Sequence, residues 1–463
     1  SFVNKFYITT AIPYVNAPPH IGHAFEFVEA DVIKRYHEIS GDKTLLLSGA
    51  DENALKNVQA AEKENISVQE LVDKNSKLFQ DLAKKLNVNF DVFQRGSSKQ
   101  HHLSSQQLWK LCEKDIYKKT YEGLYCVGCE QFYEKEELNE KGECFEHPGK
   151  KLDEVSEENY FFRLSKYQKQ IEDLLKTDKL QIIPQHRKNE ILSFVKKGLK
   201  DISISRSNER AKNWGVPVPN DNSQRIYVWF DALNIYRSGA KDWWPADLHI
   251  IGKGILRFHA VYWPAFLLSA RLKLPKKIFV HEYITVNGQK MSKTIGNVVN
   301  PIPLISKYGA DALRYYLLAK ISPFSDGDFS EEKLLQAYNA DLANGLGNLV
   351  ARVAKLCERV NIKSSPAPKF SEDYRKGLED FKFNEVLENV WNEIKILDQK
   401  INTEEPWKIK DEKKLTEVLQ FAVDRIISVA NNLKPFLPET AEKIEQQFKG
   451  PRILSQKPLF PRV

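Results

Sequence analysis

The first fifty residues contain two short apolar runs, and between them lies a segment whose apolar residues recur at helical spacing. Residues 5–12 are rich in β-branched and aromatic side chains, which predicts a strand that ends before Pro13. Apolar residues then recur at helical spacing between residues 25 and 36, so we expect a helix that begins near His20. Residues 44–47 predict a second, almost wholly apolar strand. This order predicts a βαβ unit of a buried parallel sheet, with ligands at the carboxyl ends of its strands.

The pattern changes in the middle of the chain. Residues 116–225 contain charged, hairpin-like stretches and paired cysteines, which predicts an insertion into the α/β domain. Strand signals resume at residues 225–230, 248–251 and 277–280. These three runs are expected to complete the parallel sheet.

The last third of the chain has a helical pattern. Residues 337–360 and 415–437 show a 3.6-residue period, and a Pro- and Ser-rich loop at 364–369 separates them. We therefore expect a helical bundle after the sheet.

Composition limits the classes of protein that the chain can form. Its 463 residues are enough for roughly two to four domains. Apolar runs all fall short of the ~18 residues that a membrane span needs, and the first residues lack an export signal. Five cysteines are too few for a disulfide scaffold, so we expect a cytoplasmic protein. The net charge of +7, spread along the chain, permits a polyanionic partner without requiring one.

Four residues of the types that bind metals form two short, paired motifs. Cys126 and Cys129 are followed, after fourteen residues, by Cys144 and His147. Three thiolates and one imidazole can close a tetrahedral site with no open position, which predicts a structural zinc ion. The alternatives are four unligated residues or disulfides in an oxidising compartment.

Two short segments carry candidate phosphate-binding chemistry. His20 and His23 flank Gly22 at the predicted start of the first helix, where unpaired N–H groups and the helix dipole favour anions. Lys290 and Lys293 lie on either side of Ser292 in a Gly-flanked loop after the last strand signal, and both could reach a triphosphate. Each segment alone could be an ordinary helix cap or a solvated turn.

Together, these segments resemble the signature pair of the class I aminoacyl-tRNA synthetases. Within that class the chain most resembles the methionyl-tRNA synthetase family, through residues 11–16, 201–206, 227–232 and 280–288. The resemblance covers nearly the whole chain and implies an α/β fold, with a Rossmann-type parallel sheet interrupted by a zinc-binding connective insertion and followed by an all-α helical bundle. It also implies activation of methionine with ATP and Mg²⁺, followed by transfer to tRNA(Met).

The resemblance also implies site residues. His20, His23, Lys290 and Lys293 would act on the phosphates, and Gly22, Gly252 and Ser292 would also bind ATP. The methionine pocket would comprise Ile12, Tyr14, Asp51, Trp229, Ala232, Leu233, Tyr236, Ile255, Phe258, His259 and Trp263. Asp51 would hold the substrate ammonium, and Tyr14 or His259 would contact the sulfur. Asn348, Arg352 and Trp407 would contact the anticodon.

Two positions depart from the family's usual pattern. Asn53 stands where many members have histidine, and Gly254 stands where they usually have an aspartate expected to hold the ATP ribose. The alternatives are a class I synthetase for cysteine or a branched amino acid, a non-catalytic tRNA-binding paralogue, or a small-molecule nucleotidyltransferase. Residues 116–225 are too short for the editing insertion of the branched-chain enzymes.

The resemblance implies five segments and a monomer. The segments are a first half of the Rossmann catalytic domain (1–115), a connective insertion with zinc knuckles (116–225), a second half of the catalytic domain (226–284), a lysine-loop and stem-contact region (285–345) and a helical anticodon-binding domain (346–463). A monomer is expected because the chain ends at Val463, without the dimerising appendage of some relatives.

Overall fold

The structure is a computed structural model and describes residues 2–463. Its strands are β1 (Lys5–Thr9), β2 (Lys43–Ala50), β3 (Val92–Arg95), β4 (Ile116–Cys126), β5 (Gln131–Tyr133), β6 (Asp153–Phe162), β7 (Gln181–Ile183), β8 (Ile202–Ser203), β9 (Ser205–Ser207), β10 (Pro217–Val218), β11 (Asp221–Ile226), β12 (Leu248–Gly252), β13 (Lys277–His281), β14 (Ile284–Val286), β15 (Gln289–Lys290) and β16 (Gly327–Phe329).

The helices are concentrated in the last third of the chain. They are α1 (Ile21–Ile39), α2 (Leu55–Glu64), α3 (Val68–Lys85), α4 (Lys99–Leu111), α5 (Gln168–Lys176), α6 (Gln185–Lys196), α7 (Asn208–Ala211), α8 (Val228–Leu233), α9 (Ile235–Ser238), α10 (Trp263–Ala270), α11 (Pro301–Tyr308), α12 (Ala310–Tyr315), α13 (Glu331–Ala337), α14 (Asn348–Cys357), α15 (Glu372–Glu379), α16 (Phe383–Glu404), α17 (Glu412–Leu433) and α18 (Pro438–Gln447). Wider π-helical turns cover Phe258–Tyr262, Tyr316–Lys320 and Tyr338–Gly347.

The chain divides into two compact units. Unit 1 comprises the chain up to Pro19, Gly41–Asp81 and Asn89–His281. Unit 2 comprises His20–Ser40, Leu82–Val88 and Glu282–Val463.

Unit 1 is built on a six-stranded parallel sheet in the order β3-β2-β1-β12-β13-β7. β1 pairs with β2 and β12, so the first and last thirds of this unit meet at the middle of the sheet. The predicted strands at 5–12, 44–47, 248–251 and 277–280 all lie in this sheet, although β1 ends at Thr9. β7, inside the segment predicted as an insertion, forms the sheet edge beside β13.

The rest of the segment 116–225 forms smaller sheets. β4 and β6 make a long antiparallel pair that continues to β5 and β8, in agreement with the hairpin-like pattern of the sequence. β9, β10 and β11 form a separate three-stranded antiparallel sheet.

The prediction of a strand of the main sheet over residues 225–230 is wrong. β11 ends at Ile226, and α8 begins at Val228. Every residue of α8 is buried. A short helix that is buried on all sides lacks a polar face, so its apolar run cannot be distinguished from that of a buried strand by periodicity.

Unit 2 contains α1 and the helices that follow residue 282. The helical regions predicted at 337–360 and 415–437 are present as α13, α14 and α17 with the intervening π turn, and residues 364–369 form a loop as predicted. β14, β15 and β16 form a small sheet beside the lysine-rich loop. Among residues 2–463, no helix is both long enough and apolar enough to cross a membrane.

Candidate active site

The first turn of α1 holds His20 and His23 in one hydrogen-bonded cap. His20 is the N-cap residue, and its Nδ1 accepts the N–H of Gly22 at 3.0 Å. His23 Nδ1 accepts the backbone N–H of His20 at 3.1 Å, and the ring centroids are 4.1 Å apart. A Cβ at position 22 would lie 2.7 Å from His20 Cε1, so only glycine leaves the His20 ring in this place.

Burial determines the protonation state of the two rings, and the cap hydrogen bonds determine which nitrogen carries the proton. Burial lowers the pKa of His20 to about 4, and burial followed by the neighbouring His20 lowers the pKa of His23 well below its ordinary value. Both imidazoles are therefore neutral at pH 7. Because Nδ1 is the acceptor in each ring, the proton is on Nε2. The two rings thus carry neutral N–H donors at the amino end of a helix, where anions bind.

The lysine-rich loop at residues 288–297 is organised by two of its own polar residues. Asn297 Oδ1 accepts the N–H of Ser292 at 2.8 Å, and Asn297 Nδ2 donates to the carbonyl of Lys290 at 3.1 Å. Ser292 Oγ in turn accepts the N–H of Thr294 at 3.1 Å. Both Lys290 and Lys293 are exposed. Asn297 was not predicted from the sequence to have a role, although an amide inside such a loop is a recognisable turn-forming residue.

Unit 2 brings this loop to the start of α1. The N–H of Ile21 donates to the carbonyl of Val299 at 3.0 Å. Met291 Cε lies 3.7 Å from the position of a Cβ on Gly22. The two segments lie more than 260 residues apart in the sequence and are neighbours in space. The two histidines and the two lysines predicted to bind phosphate therefore belong to one surface region.

The residues predicted to line a methionine pocket lie in unit 1, where most are buried. Trp229 stacks on Phe258 with ring centroids 3.9 Å apart and 4° between the planes. The ring of Tyr14 meets Trp229 edge-on at 6.2 Å. Tyr14 Oη and Trp229 Nε1 both donate to the carbonyl of Cys129, at 3.4 and 3.3 Å. Among the predicted pocket residues, Tyr14 and Ile255 are half-buried, and the buried ones are Ile12, Asp51, Trp229, Ala232, Leu233, Tyr236, Phe258, His259 and Trp263.

His259 is occupied at both ring nitrogens. Its Nδ1 donates to the carbonyl of Ile255 at 2.9 Å, and its Nε2 accepts the hydroxyl of Tyr236 at 2.7 Å. Burial lowers the pKa of His259 to about 4, so the ring is neutral at pH 7. Of the two residues predicted to contact a sulfur atom, Tyr14 has the longer and weaker hydrogen bond and is the better candidate donor.

Asp51 lies directly after β2, at the carboxyl end of a central strand. Its N–H donates to the carbonyl of Pro13 at 2.8 Å, and it forms a parallel bridge with Tyr14. Burial, followed by the charges of Asp231 and Glu130, raises the pKa of Asp51 well above its ordinary value. A buried carboxylate with a raised pKa binds a cation favourably, because the cation offsets the cost of ionisation.

The end of β12 shows the position of the Gly254 departure. Gly252 is buried as the last residue of β12, and Gly254 is exposed in the following turn. Gly254 offers no carboxylate to a ribose, so any sugar contact there uses other groups.

The four predicted metal ligands lie together, with all ligand atoms within 4.8 Å of one another. Cys144 Sγ is 3.4 Å from Cys126 Sγ and 3.6 Å from Cys129 Sγ. His147 Nδ1 is 3.8, 3.2 and 3.4 Å from the sulfurs of Cys126, Cys129 and Cys144. Tetrahedral zinc with ordinary bond lengths would separate these atoms by about 3.5–3.8 Å. The cluster therefore fits a zinc ion, and Gly128 is required because a Cβ there would lie 2.5 Å from the His147 ring.

The predicted anticodon residues lie in the helical part of unit 2. Asn348 and Arg352 are on α14, and Arg352 donates to Asp398 Oδ1 and Asn402 Oδ1 of α16, each at 2.7 Å. Trp407 is 46% exposed in the turn that follows α16. Such exposure is unusual for a tryptophan, and aromatic side chains of this kind are used to stack on unpaired bases.

Two polar residues near Asp51 were not predicted from the sequence. Asp231 and His101 form a buried hydrogen-bonded group with Asn53 in unit 1. Asp231 lies within the run 227–232 that carries the resemblance. Its charge in an otherwise apolar segment was the one available signal.

Comparisons with known proteins agree with this geometry. A family model described as "tRNA synthetases class I (M)" matches residues 6–354. Methionine–tRNA ligase from Brucella suis is 40% identical over 474 residues, which cover 95% of this chain and 91% of the relative. The Synechocystis methionine–tRNA ligase is 39% identical over 483 residues, which cover 96% and 90%.

A solved structure shows the same similarity. Mycobacterium tuberculosis methionyl-tRNA synthetase in complex with methionyl-adenylate superposes with a TM-score of 0.92 at 33% identity, covering 99% of this chain and 100% of that one. Taken with the family model and the two relatives, this similarity shows that the chain belongs to the class I tRNA synthetases, in the family of the methionine–tRNA ligases.

Proposed function

We propose that the chain activates methionine with ATP to methionyl-adenylate and pyrophosphate, and transfers the methionine to the 3' end of tRNA(Met). One observation carries this proposal: in unit 2 the capped histidines of α1 lie beside the lysine-rich loop. Ile21 N–H donates to the carbonyl of Val299, two residues after that loop, and Met291 Cε of the loop lies 3.7 Å from the position of a Cβ on Gly22. In a chain of this family, that region suits a triphosphate.

The first step needs positioning and charge stabilisation rather than a protein nucleophile. The carboxylate of methionine attacks the α-phosphorus of ATP, and the bond to the leaving pyrophosphate breaks. Neutral Nε2–H groups of His20 and His23 donate to the phosphate oxygens, while Lys290 and Lys293 neutralise the charge of the leaving pyrophosphate. Bound Mg²⁺ supplies further neutralisation of the phosphates. In the second step, a ribose hydroxyl of the tRNA attacks the adenylate carbonyl and AMP leaves.

The aromatic pocket of unit 1 supplies the specificity for methionine. A thioether packs well against aromatic rings, and the stacked pair of Trp229 and Phe258 offers such a surface. Tyr14 donates to the sulfur, since its bond to the Cys129 carbonyl is long and can be exchanged. Asp51 binds the ammonium group.

The Cys126–His147 cluster holds structural zinc in this proposal. The Cys129 carbonyl accepts from both Tyr14 and Trp229, so the zinc knuckle positions part of the pocket wall. All four coordination positions are filled by protein, which leaves none for a substrate.

The helical region 346–463 binds the anticodon in this proposal. The exposed ring of Trp407 stacks on an unpaired base, and Arg352 and Asn348 donate to base edges. Arg352 is already held toward α16 by Asp398 and Asn402, which reduces the entropy lost on binding.

The experiment that tests this function is ATP–pyrophosphate exchange with each of the twenty amino acids, without tRNA. We expect exchange with methionine alone. Exchange that depends on another amino acid would contradict the pocket assignment, and no exchange with any amino acid would contradict the proposed activity.

Replacement of Lys293 by alanine tests the role of the lysine loop. We expect the rate of adenylate formation to fall at least tenfold while methionine binding changes little, because the lysine acts on charge that develops in the transition state. Lys443→Ala, which removes another exposed lysine, is the matched control and should leave both quantities unchanged. Equal losses of rate and of methionine affinity in Lys293→Ala would contradict the assigned role.

A further inference from the structure

Two buried carboxylates of unit 1, those of Asp51 and Asp231, are linked through Asn53. Asp51 is 2% exposed, and Asp231 is 1% exposed. Asp51 Oδ1 and Asp231 Oδ2 both lack a hydrogen-bond partner among residues 2–463. Buried carboxylate oxygens are normally hydrogen-bonded, so these two atoms can accept from a ligand that supplies donors.

Asn53 links the two carboxylates. Its backbone N–H hydrogen-bonds to the carboxylate of Asp51. Its Nδ2 donates to Asp231 Oδ1 at 3.1 Å and to the carbonyl of Gly96 at 2.7 Å. His101 Nε2 lies 3.1 Å from the same Oδ1 of Asp231. The partners of Asp231 thus all act on Oδ1, and they hold the side chain beside Asp51 while Oδ2 stays unpaired.

Glu130 and Lys56, two other charged residues near Asp51, already have hydrogen-bond partners. Glu130 accepts the N–H of Leu55 at 2.9 Å through Oε1 and the hydroxyl of Tyr125 through Oε2. Lys56 Nζ donates to the carbonyl of Gly128 at 2.5 Å and lies 3.6 Å from the centroid of the Tyr14 ring. The charge of Lys56 acts on Asp51 and lowers its pKa, but the short contacts of Lys56 are with Gly128 and Tyr14, and none of them satisfies the two unpaired oxygens.

Two ionised carboxylates in one buried region repel each other unless a cation lies between them. An ammonium group has three N–H donors and one positive charge, so it can donate to more than one carboxylate oxygen. The raised pKa of Asp51, to which the charge of Asp231 contributes, is consistent with this repulsion. The region has the chemistry of a site for a primary ammonium group.

We propose that Asp231 is a second carboxylate of the substrate-ammonium site, held beside Asp51 by Asn53. This inference rests on the proposed function, since it concerns the same methionine site. It also gives a reason for the departure at position 53. An asparagine can donate to Asp231 without adding a positive charge. A protonated imidazole at the same position would add a charge that competes with the ammonium.

The test is the variant Asp231→Asn, which keeps an oxygen to accept from Asn53 and His101 but removes the charge. Binding is measured by calorimetry for L-methionine and for L-methioninol, which keeps the ammonium and lacks the carboxylate. The affinity for 4-(methylsulfanyl)butanoate, which lacks the ammonium, is measured by competition at millimolar concentrations. We expect the first two ligands to bind roughly 10- to 100-fold more weakly and the third to bind unchanged.

Asp311→Asn is the matched control. Asp311 is also a buried carboxylate, with Oδ2 bound to Thr440 and Oδ1 unpaired, and it lies in unit 2. This control should bind all three ligands as the wild-type protein does. The unliganded Asp231→Asn protein should melt at or above the wild-type temperature, because removal of one charge relieves repulsion.

Two results would overturn the inference. Equal weakening of all three ligands together with a lower melting temperature would show that Asp231 is merely structural, and unchanged methionine binding would show that it does not reach the ammonium. A failure of the proposed function is seen separately, as the absence of methionine-dependent pyrophosphate exchange in the wild-type protein.

Discussion

A buried ion pair in unit 2 anchors the helix that carries the two histidines. Arg314 on α12 is fully buried, and its Nη1 lies 2.7 Å from Asp31 Oδ2 on α1. The guanidinium also donates to the carbonyls of Phe436, Leu86 and Pro435, at 2.8, 3.0 and 3.0 Å. One side chain therefore joins α1 to two other stretches of the chain, at Leu86 and at Pro435 and Phe436.

We predict that Arg314→Met lowers the free energy of unfolding of unit 2 by about 3–5 kcal/mol, the usual cost of removing one partner of a buried ion pair. Methionine fills a similar volume, so the loss arises mainly from unpaired polar groups rather than from a cavity. Three carbonyls lose a charged donor, and the losses of groups that share one donor are not additive. Asp31 keeps its 2.7 Å contact with Arg35, so its charge is not left unpaired.

Native-state hydrogen exchange of the α1 amides measures this prediction, because it reports the opening free energy of that helix. Arg425→Met, at an exposed arginine of α17, is the control and should change stability by less than about 1 kcal/mol. The double variant with Asp31→Asn should lose less than the sum of the two single variants. A loss below about 1 kcal/mol for Arg314→Met would refute the reasoning.

Three further predictions concern protonation, the anticodon region and the metal. Because burial lowers the pKa of His259 to about 4, the unfolded chain binds a proton that the folded one does not, and stability should fall as pH drops from about 6.5 to about 4, by up to about 3 kcal/mol for this ring. Urea unfolding at several pH values measures this change in the free energy of unfolding. A His259→Asn variant whose stability depends on pH as steeply as that of the wild-type protein would contradict the prediction. Trp407→Ala should reduce aminoacylation of tRNA but not pyrophosphate exchange; a parallel fall in both would contradict an anticodon role. Metal analysis should find one zinc per chain, and Cys144→Ser should release it and increase hydrogen exchange in β4 and β6; a wild-type protein without zinc would contradict the metal assignment.

Much of the candidate site was predictable from local sequence. The spacing of Cys126, Cys129, Cys144 and His147 predicts one cluster, because short knuckles position ligands through their own turns, and the structure places the four ligand atoms together. The start of α1 at Ile21 follows from the apolar period and from the cap residues before it. In both cases the controlling interactions lie within a few residues of one another.

The errors fall where burial hides the periodicity. Residues 228–233 form a helix rather than a strand, because a fully buried segment shows no polar face in its sequence. β7 was not predicted because three residues at a sheet edge carry too little pattern to be recognised.

The sequence by itself determined the family of the chain, the order of its main elements and the residue types available for phosphate, metal and methionine binding. The tertiary structure alone decided the relations between distant segments: the contact of the lysine loop with the start of α1, the proton positions on the histidines, and the placement of Asp231 beside Asp51. The physical reason is that hydrogen-bond partners and buried charges act over a few ångströms in space. Residues 51 and 231 are separated by 180 positions in the chain, and only folding lets Asn53, two residues after Asp51, hydrogen-bond to Asp231.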